Sequence, residues 1–124
     1  MTRFSSLDRL YGSGTVDVLA RSHVCIVGVG GVGSWAAEAF ARSGIGKLTL
    51  IDADEVCLGN VNRQSHALDG TIGRSKVAVL AERLRLINPA IDVQAVAAFV
   101  TPTTVGQHLD RGFDCVFDAC DAFR

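Results

Sequence analysis

The sequence predicts an α/β domain with a mostly parallel, doubly wound sheet, and three observations predict it. Short segments rich in β-branched residues alternate with longer amphipathic segments in the order β-α-β-loop-α-β-α-β. The first β segment runs directly into a cluster of glycines at the start of a helix. Polar and charged residues gather where the strands end, at the edge that the carboxyl ends of parallel strands share. Right-handed crossovers between such strands give a Rossmann-like arrangement.

The composition fits one small globular domain. The 124 residues include 12 Lys and Arg against 13 Asp and Glu, and 48% are hydrophobic, which excludes a disordered chain and a basic field over the whole molecule. The composition does not exclude a local basic patch. No apolar run approaches the roughly 20 residues of a bilayer span, and no secretory signal is visible, so we expect a cytoplasmic protein. The four cysteines contain no CxxC pair, which argues against a disulfide framework or a structural zinc.

The first half of the chain supplies two strands and two helical stretches. A polar, glycine-containing lead over residues 1–14 precedes a short amphipathic stretch over residues 16–20. Residues 23–28 are a short β-branched run that ends in glycine, which predicts a buried strand. Residues 32–43 place Trp, Ala and Phe side chains on one face and stop before a glycine, which predicts a helix. The second strand follows at residues 47–52.

The second half begins with a long polar loop over residues 53–73. It is rich in Asn, Asp and Gly, and at about 20 residues it is longer than a simple connection, so we expect it to carry function. Residues 75–88 form the clearest helix, with apolar residues at helical spacing and a proline after it. A third strand over residues 91–100, a short helix opened by Thr101–Pro102 and a fourth strand over residues 115–119 complete the pattern.

The chain divides into an N-terminal lead with its short helix, residues 1–22, and an α/β domain, residues 23–124. The sequence stops directly after the fourth strand. Because a parallel sheet is normally covered on both faces, we expect these residues to be the N-terminal part of a longer enzyme, truncated after that strand.

The glycine cluster predicts a nucleotide phosphate site. It lies between a strand and a helix and consists of Gly28, Gly30, Gly31 and Gly33, followed by Ser34. Glycine lets the backbone turn tightly and approach a phosphate, whose charge the helix N-terminus favours. Asp52 ends the second strand 19 residues after Gly33 and is placed to accept hydrogen bonds from ribose hydroxyls. These features fit a dinucleotide oxidoreductase and an adenylating enzyme equally well.

The residues after the second strand favour transfer of a nucleotidyl group. Asp54, Asn62, Arg63, Gln64 and Lys76 follow that strand, in the loop and at the start of the next helix. A nicotinamide site needs a flat apolar slot, whereas nucleotidyl transfer needs cations where charge builds up on the phosphates. The arginine and the lysine supply those cations, so this region predicts an ATP site.

A carboxylate pair closes the fourth strand, on the same edge as the glycine cluster. Asp118 and Asp121 are the two candidates. A carboxylate beside a triphosphate is a suitable Mg²⁺ ligand, because Mg²⁺ prefers oxygen and bridges to phosphate. Asp121, just beyond the strand, is the preferred metal ligand of the two. A strand-end cap or a salt bridge is the alternative role for this pair.

The chain resembles the ThiF-like adenylating superfamily in four motifs: GVGGVGS, DADEVCLGNVNRQ, GRSKVAVLAERLRLINP and DACDAFR. This superfamily also contains ubiquitin-activating enzymes and the molybdopterin-synthase adenylyltransferase. Within it, the segments RLYG, NRQSHAL and FVTP are most similar to the bacterial tRNA threonylcarbamoyladenosine dehydratases.

The resemblance implies ATP and Mg²⁺ as cofactors and a role for each matching residue. It implies a phosphate loop of four glycines, Asp52 on the ribose, and Asp121 on Mg²⁺. It implies that the phosphates are contacted or the loop ordered by Asp54, Asn62, Arg63, Gln64 and Lys76. Arg9 resembles the N-terminal arginine that reaches the triphosphate of the other subunit in homodimeric relatives, and it joins Arg63 and Lys76 as an implied catalytic residue.

The implied chemistry is attack of a substrate carboxylate on the α-phosphorus of ATP, with release of pyrophosphate. For the dehydratase group, the carboxylate belongs to the threonyl part of a modified adenosine in tRNA, and ring closure then releases AMP. The nearest alternative is an adenylyltransferase that acts on a sulfur-carrier or ubiquitin-like protein, with a sulfur-carrier or cysteine-desulfurase-system partner. Two further alternatives are an NAD(P)- or FAD-binding oxidoreductase and a non-catalytic Rossmann module.

Overall fold

A four-stranded sheet forms the centre of the computed structural model, which describes residues 2–110 and 112–120. The spatial order is β3-β2-β1-β4, and all three neighbouring pairs are parallel. The strands are β1 His23–Val27, β2 Lys47–Ile51, β3 Asp92–Val96 and β4 Cys115–Asp118. The predicted parallel α/β sheet is therefore confirmed, and the chain moves outward in one direction from β1 to β3 before it crosses back to β4.

Five helices accompany the sheet in the described part of the chain. They are α1 Ser5–Tyr11, α2 Thr15–Ala20, α3 Gly33–Arg42, α4 Lys76–Ile87 and α5 Val105–Leu109, with a 3₁₀ turn at Leu58–Asn60. No helix among the described residues is both long and apolar enough to cross a bilayer.

One face of the sheet packs against α3 and α4. Alternate strand residues point to this face, as the two-residue period of a strand requires. The buried apolar side chains from the strands are Val24, Ile26, Leu48, Leu50 and Val93, and those from the helices are Ala37, Ala41, Val77, Leu80, Ala81 and Leu84. This core fixes the start of α3 and the start of α4 at the carboxyl edge of the sheet, where β1 and β2 end.

A buried carboxylate joins the two helices. Glu38 on α3 is only 6% exposed and accepts hydrogen bonds from Arg83 on α4, at 2.9 and 3.2 Å, and from Arg42 on its own helix at 3.1 Å. The hydrogen bonds from Arg83 lower the pKa of Glu38, and those from Arg42 add to this shift against the opposing effect of burial. The carboxylate is therefore matched by two arginines, and α3 and α4 are clamped together at this point.

Three segments differ from the sequence predictions. The lead contains α1, which the polar sequence did not indicate; it is held by tertiary contact, because the Phe4 ring just before it lies against Gly44 after α3. The third strand ends at Val96 rather than at residue 100. Its partner β2 ends opposite Val96, so residues 97–100 have no neighbour with which to continue the ladder. The short helix near Thr101 starts only at Val105, after a turn.

Candidate functional site

The glycine turn connects β1 to α3, and two of its glycines are demanded by the packing of the protein. Gly28 has a φ of +89°, and a Cβ atom there would lie 2.9 Å from the carbonyl oxygen of Ala119. A Cβ atom at Gly33 would overlap the carbonyl oxygen of Gly28. These two positions admit only glycine, with or without a ligand.

The other two glycines are not explained by the protein. A Cβ atom at Gly30 would meet nothing closer than the amide nitrogen of Gln64 at 3.7 Å, and one at Gly31 would make ordinary contact with Arg63 at 3.4 Å. Neither residue has a positive φ. A Cβ atom would therefore fit at both positions in the chain by itself, and close approach of a ligand to the backbone is a physical reason for glycine here.

Val29, which lies between Gly28 and Gly30, is held at three points. Its N–H donates to Asp52 Oδ2 at 2.9 Å, its carbonyl oxygen lies 2.7 Å from Nε2 of His66, and its side chain is fully buried in the core. The other oxygen of Asp52 accepts from the N–H of Asp54 at 2.8 Å. Asp52, predicted as the ribose ligand, thus also anchors the turn, while its half-buried carboxylate keeps lone pairs for a further donor.

The polar loop after β2 is fastened to the start of α3. The indole N–H of Trp35 donates to the carbonyl oxygen of Arg63 at 2.7 Å, and the N–H of Ser65 donates to Ser34 Oγ at 3.2 Å. Ser34, predicted with the glycines as part of the phosphate site, is fully buried, and its hydroxyl oxygen accepts this hydrogen bond from the loop. Gln64 is also buried, with its amide beside Gly30.

Two cations lie at this edge, in different environments. Lys76 is the first residue of α4, its side chain is 8% exposed, and its Nζ lies 3.9 Å from the exposed carboxylate of Asp54. Arg63 is exposed and donates to Asn62 Oδ1 at 2.8 Å and to the carbonyl oxygen of Gly59 at 3.2 Å. An ammonium group at a helix N-terminus adds to the positive end of the helix dipole, which is unfavourable unless an anion binds there.

His66 belongs to this site, although it is not among the residues that the sequence predicts for it. Its side chain is fully buried between the glycine turn and the loop. Burial lowers its pKa, the hydrogen bond to Val29 opposes that shift, and the charge of Lys76 lowers the pKa further. The ring is therefore neutral at pH 7. Its position directly after the NRQ segment was the one available signal in the sequence.

Two predicted residues lie outside the buried part of the site, and the structure does not describe a third. Arg9 is exposed on α1, which packs at the carboxyl end of α3, about 15 Å of helix away from the glycine turn. Asn62 is exposed in the loop, where its side chain accepts from Arg63. Asp121 lies outside the residues that the structure describes. Its neighbour Asp118 is exposed at the end of β4 and accepts from the N–H of Cys120 at 3.0 Å.

No cluster of three or more His, Cys, Asp or Glu side chains suited to a metal occurs in residues 2–110 and 112–120. The carboxyl edge does offer oxygen ligands from Asp52 and Asp118 close to the glycine turn, which is the ligand type that Mg²⁺ prefers. A Mg²⁺ ion would therefore need phosphate oxygens or further residues to complete its coordination.

Comparison with known proteins agrees with these features. Residues 5–124 match the ThiF family. The tRNA threonylcarbamoyladenosine dehydratase of Escherichia coli (strain K12) is 52% identical over 122 residues, 98% of this chain and 46% of that protein. The dehydratase of Bacillus subtilis (strain 168) is 46% identical over 119 residues, 96% of this chain and 47% of that protein.

A solved structure of the E. coli dehydratase, TcdA, in complex with ATP has a TM-score of 0.96 and 52% identity, and it matches 98% of this chain and 50% of that chain. The chain therefore spans about half the length of the relatives that it matches. The family match and these identities agree with the glycine turn, the cations and the parallel sheet. The chain belongs to the ThiF family.

Proposed function

We propose that this chain is the nucleotide-binding part of an enzyme that uses ATP to activate a substrate carboxylate by adenylation. The observation that carries the proposal is the pair Gly30 and Gly31, where glycine is left unexplained by the protein, at the same edge as the buried cation Lys76. Close backbone approach together with a buried positive charge that only the exposed Asp54 faces, at 3.9 Å among the described residues, fits a polyphosphate. The ATP complex of the 52% identical relative supports the same nucleotide.

Each residue of the site has a proposed role. The backbone of the glycine turn holds phosphate oxygens, and Asp52 accepts from the ribose hydroxyls while it anchors Val29. Lys76 and Arg63 neutralise the charge that develops on the phosphates as the bond to pyrophosphate breaks. Gln64 and Asn62 order the loop that carries Arg63, and Asp54 holds Lys76. Ser34 belongs to the proposed nucleotide site with the glycines, and its hydroxyl also holds that loop.

Magnesium is part of this proposal. We assign Asp121 as its protein ligand, with Asp118 as the alternative, because Asp118 ends β4 beside the end of β1 and Asp121 comes three residues later in the sequence. The support is the short distance between the two segments, since a Cβ atom at Gly28 would lie 2.9 Å from the carbonyl oxygen of Ala119. When bound, Mg²⁺ would screen the phosphate charges and orient the leaving pyrophosphate.

The proposed substrate is a tRNA that carries threonylcarbamoyladenosine. The identities of 52% and 46% to enzymes named for this reaction support it. In this reaction the threonyl carboxylate would be adenylated, and a nitrogen of the same group would close the ring with release of AMP. A cytoplasmic homodimer completes the proposal. Arg9 would act in the second subunit, which agrees with its position away from the glycine turn of its own chain.

The nearest alternative is adenylation of the C-terminus of a sulfur-carrier or ubiquitin-like protein, with sulfur supplied by a cysteine-desulfurase system. An NAD(P)- or FAD-binding oxidoreductase is less well supported, because a nicotinamide site needs an apolar slot where this chain has Lys76 and Arg63. A non-catalytic nucleotide-binding module would keep the glycine turn and need neither cation.

Ligand-dependent stability separates the nucleotide classes. ATP with Mg²⁺ should raise the melting temperature of the purified chain, because a ligand that binds only the folded state stabilises it. NADH and FAD at the same concentration are the controls. A rise with NADH or FAD and none with ATP would overturn the adenylation proposal in favour of an oxidoreductase.

Pyrophosphate exchange separates the substrates and the non-catalytic alternative. The chain would be joined to the part of the E. coli dehydratase that it does not span, and exchange of labelled pyrophosphate into ATP would be measured. We expect exchange that depends on tRNA carrying threonylcarbamoyladenosine. Exchange that depends instead on a peptide with a sulfur-carrier C-terminus would favour the nearest alternative, and absence of exchange with both would favour a binding module.

A further inference from the structure

His66 is the buried titratable group at the glycine turn that the proposed chemistry leaves without a role. Its Nε2 lies 2.7 Å from the carbonyl oxygen of Val29, 37 residues earlier in the chain. Its Nδ1 is buried and has no hydrogen-bond partner among the described residues. The ring is fully enclosed, so it does not face a ligand directly.

The chemistry of this contact fixes the state of the ring. A carbonyl oxygen only accepts, so Nε2 must carry the proton. In the neutral ring, Nδ1 is then a bare acceptor, which costs less to bury than a second N–H without an acceptor. A protonated ring would add that second donor, and with it a buried positive charge.

The turn itself needs such a contact. Four glycines in six residues give the free backbone many conformations. Asp52 holds the N–H of Val29 and the core holds its side chain, which leaves the carbonyl group as the remaining point to fix. The next residues along the chain are Gly30 and Gly31, whose orientation follows from that of the Val29 peptide group.

We propose that His66 is a positioning residue, which in its neutral form holds the glycine turn in its phosphate-binding shape by donating Nε2–H to the carbonyl oxygen of Val29. This inference rests on the proposed function, because it assumes that the turn binds the phosphates of ATP. It also gives ATP binding a dependence on pH that comes from the protein.

The charged groups around the ring decide the direction of that dependence. From α4, the ammonium group of Lys76 opposes a positive ring; from the end of β2, the carboxylate of Asp52 favours it; the glycine turn contributes only the Val29 carbonyl. Burial is the largest effect, so the pKa of His66 lies below its usual value. As pH falls through the range of this lowered pKa, the His66 ring becomes charged. A charged ring destabilises its buried environment beside the glycine turn, so ATP should bind less tightly.

Three variants test the proposal by ATP titration of the purified chain at pH 8. His66→Phe removes the donor and keeps a ring, and we expect a loss of ATP affinity of about tenfold. His66→Gln keeps an N–H donor and should bind within about threefold of the wild type. His23→Phe is the control, because His23 is a partly buried histidine at the other end of β1 that contacts Thr49.

Two further measurements need no nucleotide. Long-range ¹H–¹⁵N spectra of the wild type should show the neutral ring of His66 with its proton on Nε2. Amide hydrogen exchange should rise at Gly30 and Gly31 in His66→Phe, and return to the wild-type rate in His66→Gln. The tautomer measurement keeps the test valid if His66→Phe does not fold.

The outcomes are distinct. A proton on Nδ1, or equal ATP affinity and equal glycine exchange in the wild type and His66→Phe, would overturn the inference about His66. An expected tautomer and exchange pattern in a chain that binds no ATP would leave His66 as the residue that holds the turn and overturn the proposed function instead. The pH dependence of ATP affinity should be flatter in His66→Gln than in the wild type. Titration of ATP itself affects both proteins equally, so the comparison between them removes its contribution.

Discussion

Two buried charged groups, Glu38 and Lys76, show how the molecule separates its framework from its site. Glu38 is 6% exposed and matched by two arginines at 2.9 to 3.2 Å. Lys76 is equally buried, but within residues 2–110 and 112–120 its ammonium group pairs with one carboxylate, that of the exposed Asp54, at 3.9 Å. The first charge is balanced within the protein, and the second is short of negative charge. The comparison supports the proposed anion site at Lys76, and it assigns to Glu38 the joining of two helices.

The largest expected effect comes from removing the underbalanced charge. Lys76→Ala should lower pyrophosphate exchange by about 100-fold or more, because a preorganised cation contributes mostly to the transition state. The same change should leave the free energy of unfolding unchanged or raise it, because it removes a poorly paired buried ammonium. Chemical denaturation measures the second quantity. A large loss of stability with little loss of pyrophosphate exchange would show that Lys76 belongs to the framework and not to the site.

Glu38→Gln should have the opposite pattern, at the next largest magnitude. It should lower the free energy of unfolding by about 2 kcal/mol, because it leaves two arginines without a carboxylate, and their partial exposure moderates the cost. ATP affinity, measured at a temperature where the variant is fully folded, should change less than about twofold. A variant that folds as stably as the wild type would show that the clamp is not needed.

Two glycine substitutions test the same separation of site from framework, with a smaller expected effect. Gly30→Ala should weaken ATP binding by about tenfold, since the new methyl group occupies space that a phosphate needs, and it should leave the melting temperature nearly unchanged. Gly106→Ala in α5 is the matched control, because its Cβ atom would meet nothing within 4 Å and, as at Gly30, its φ is not positive. Equal ATP affinity in the two variants would contradict a phosphate at Gly30.

The smallest expected effect is the pH dependence of stability. Burial lowers the pKa of both His66 and His23 in the folded chain. The unfolded chain therefore binds more protons below about pH 6.5, and the free energy of unfolding should fall as pH drops from neutral toward 5. Glu38, whose pKa is also lowered, should contribute a further loss only below its ordinary range near pH 4.5. Unfolding curves for the wild type and His66→Gln separate these contributions.

Local patterns in the sequence were sufficient for the sheet and for the edge that carries the site. The β-branched run that ends at Gly28 and the helical spacing after Ser75 report which faces are buried, and parallel strands bring their carboxyl ends together. The neighbourhood of Asp52, Arg63 and Lys76 followed from that geometry alone.

Other features depend on contacts between distant residues, which no local pattern reports. The bond from His66 to Val29 spans 37 residues, and the bond from Arg83 to Glu38 spans 45. Ser34 follows the glycine cluster, yet its hydroxyl is buried and accepts from Ser65, because α3 enters the core directly after the turn. Helix α1 was missed for a similar reason, since tertiary contact rather than periodicity holds it.

The bond from Trp35 to the carbonyl oxygen of Arg63 has a practical consequence. Trp35 is the single tryptophan of the chain, is 52% exposed, and sits between the helix that follows the glycines and the loop that carries the arginine. Indole fluorescence is sensitive to hydrogen bonding and to solvent. The protein therefore contains a built-in optical reporter, whose emission should follow movement of that loop in real time without any attached dye.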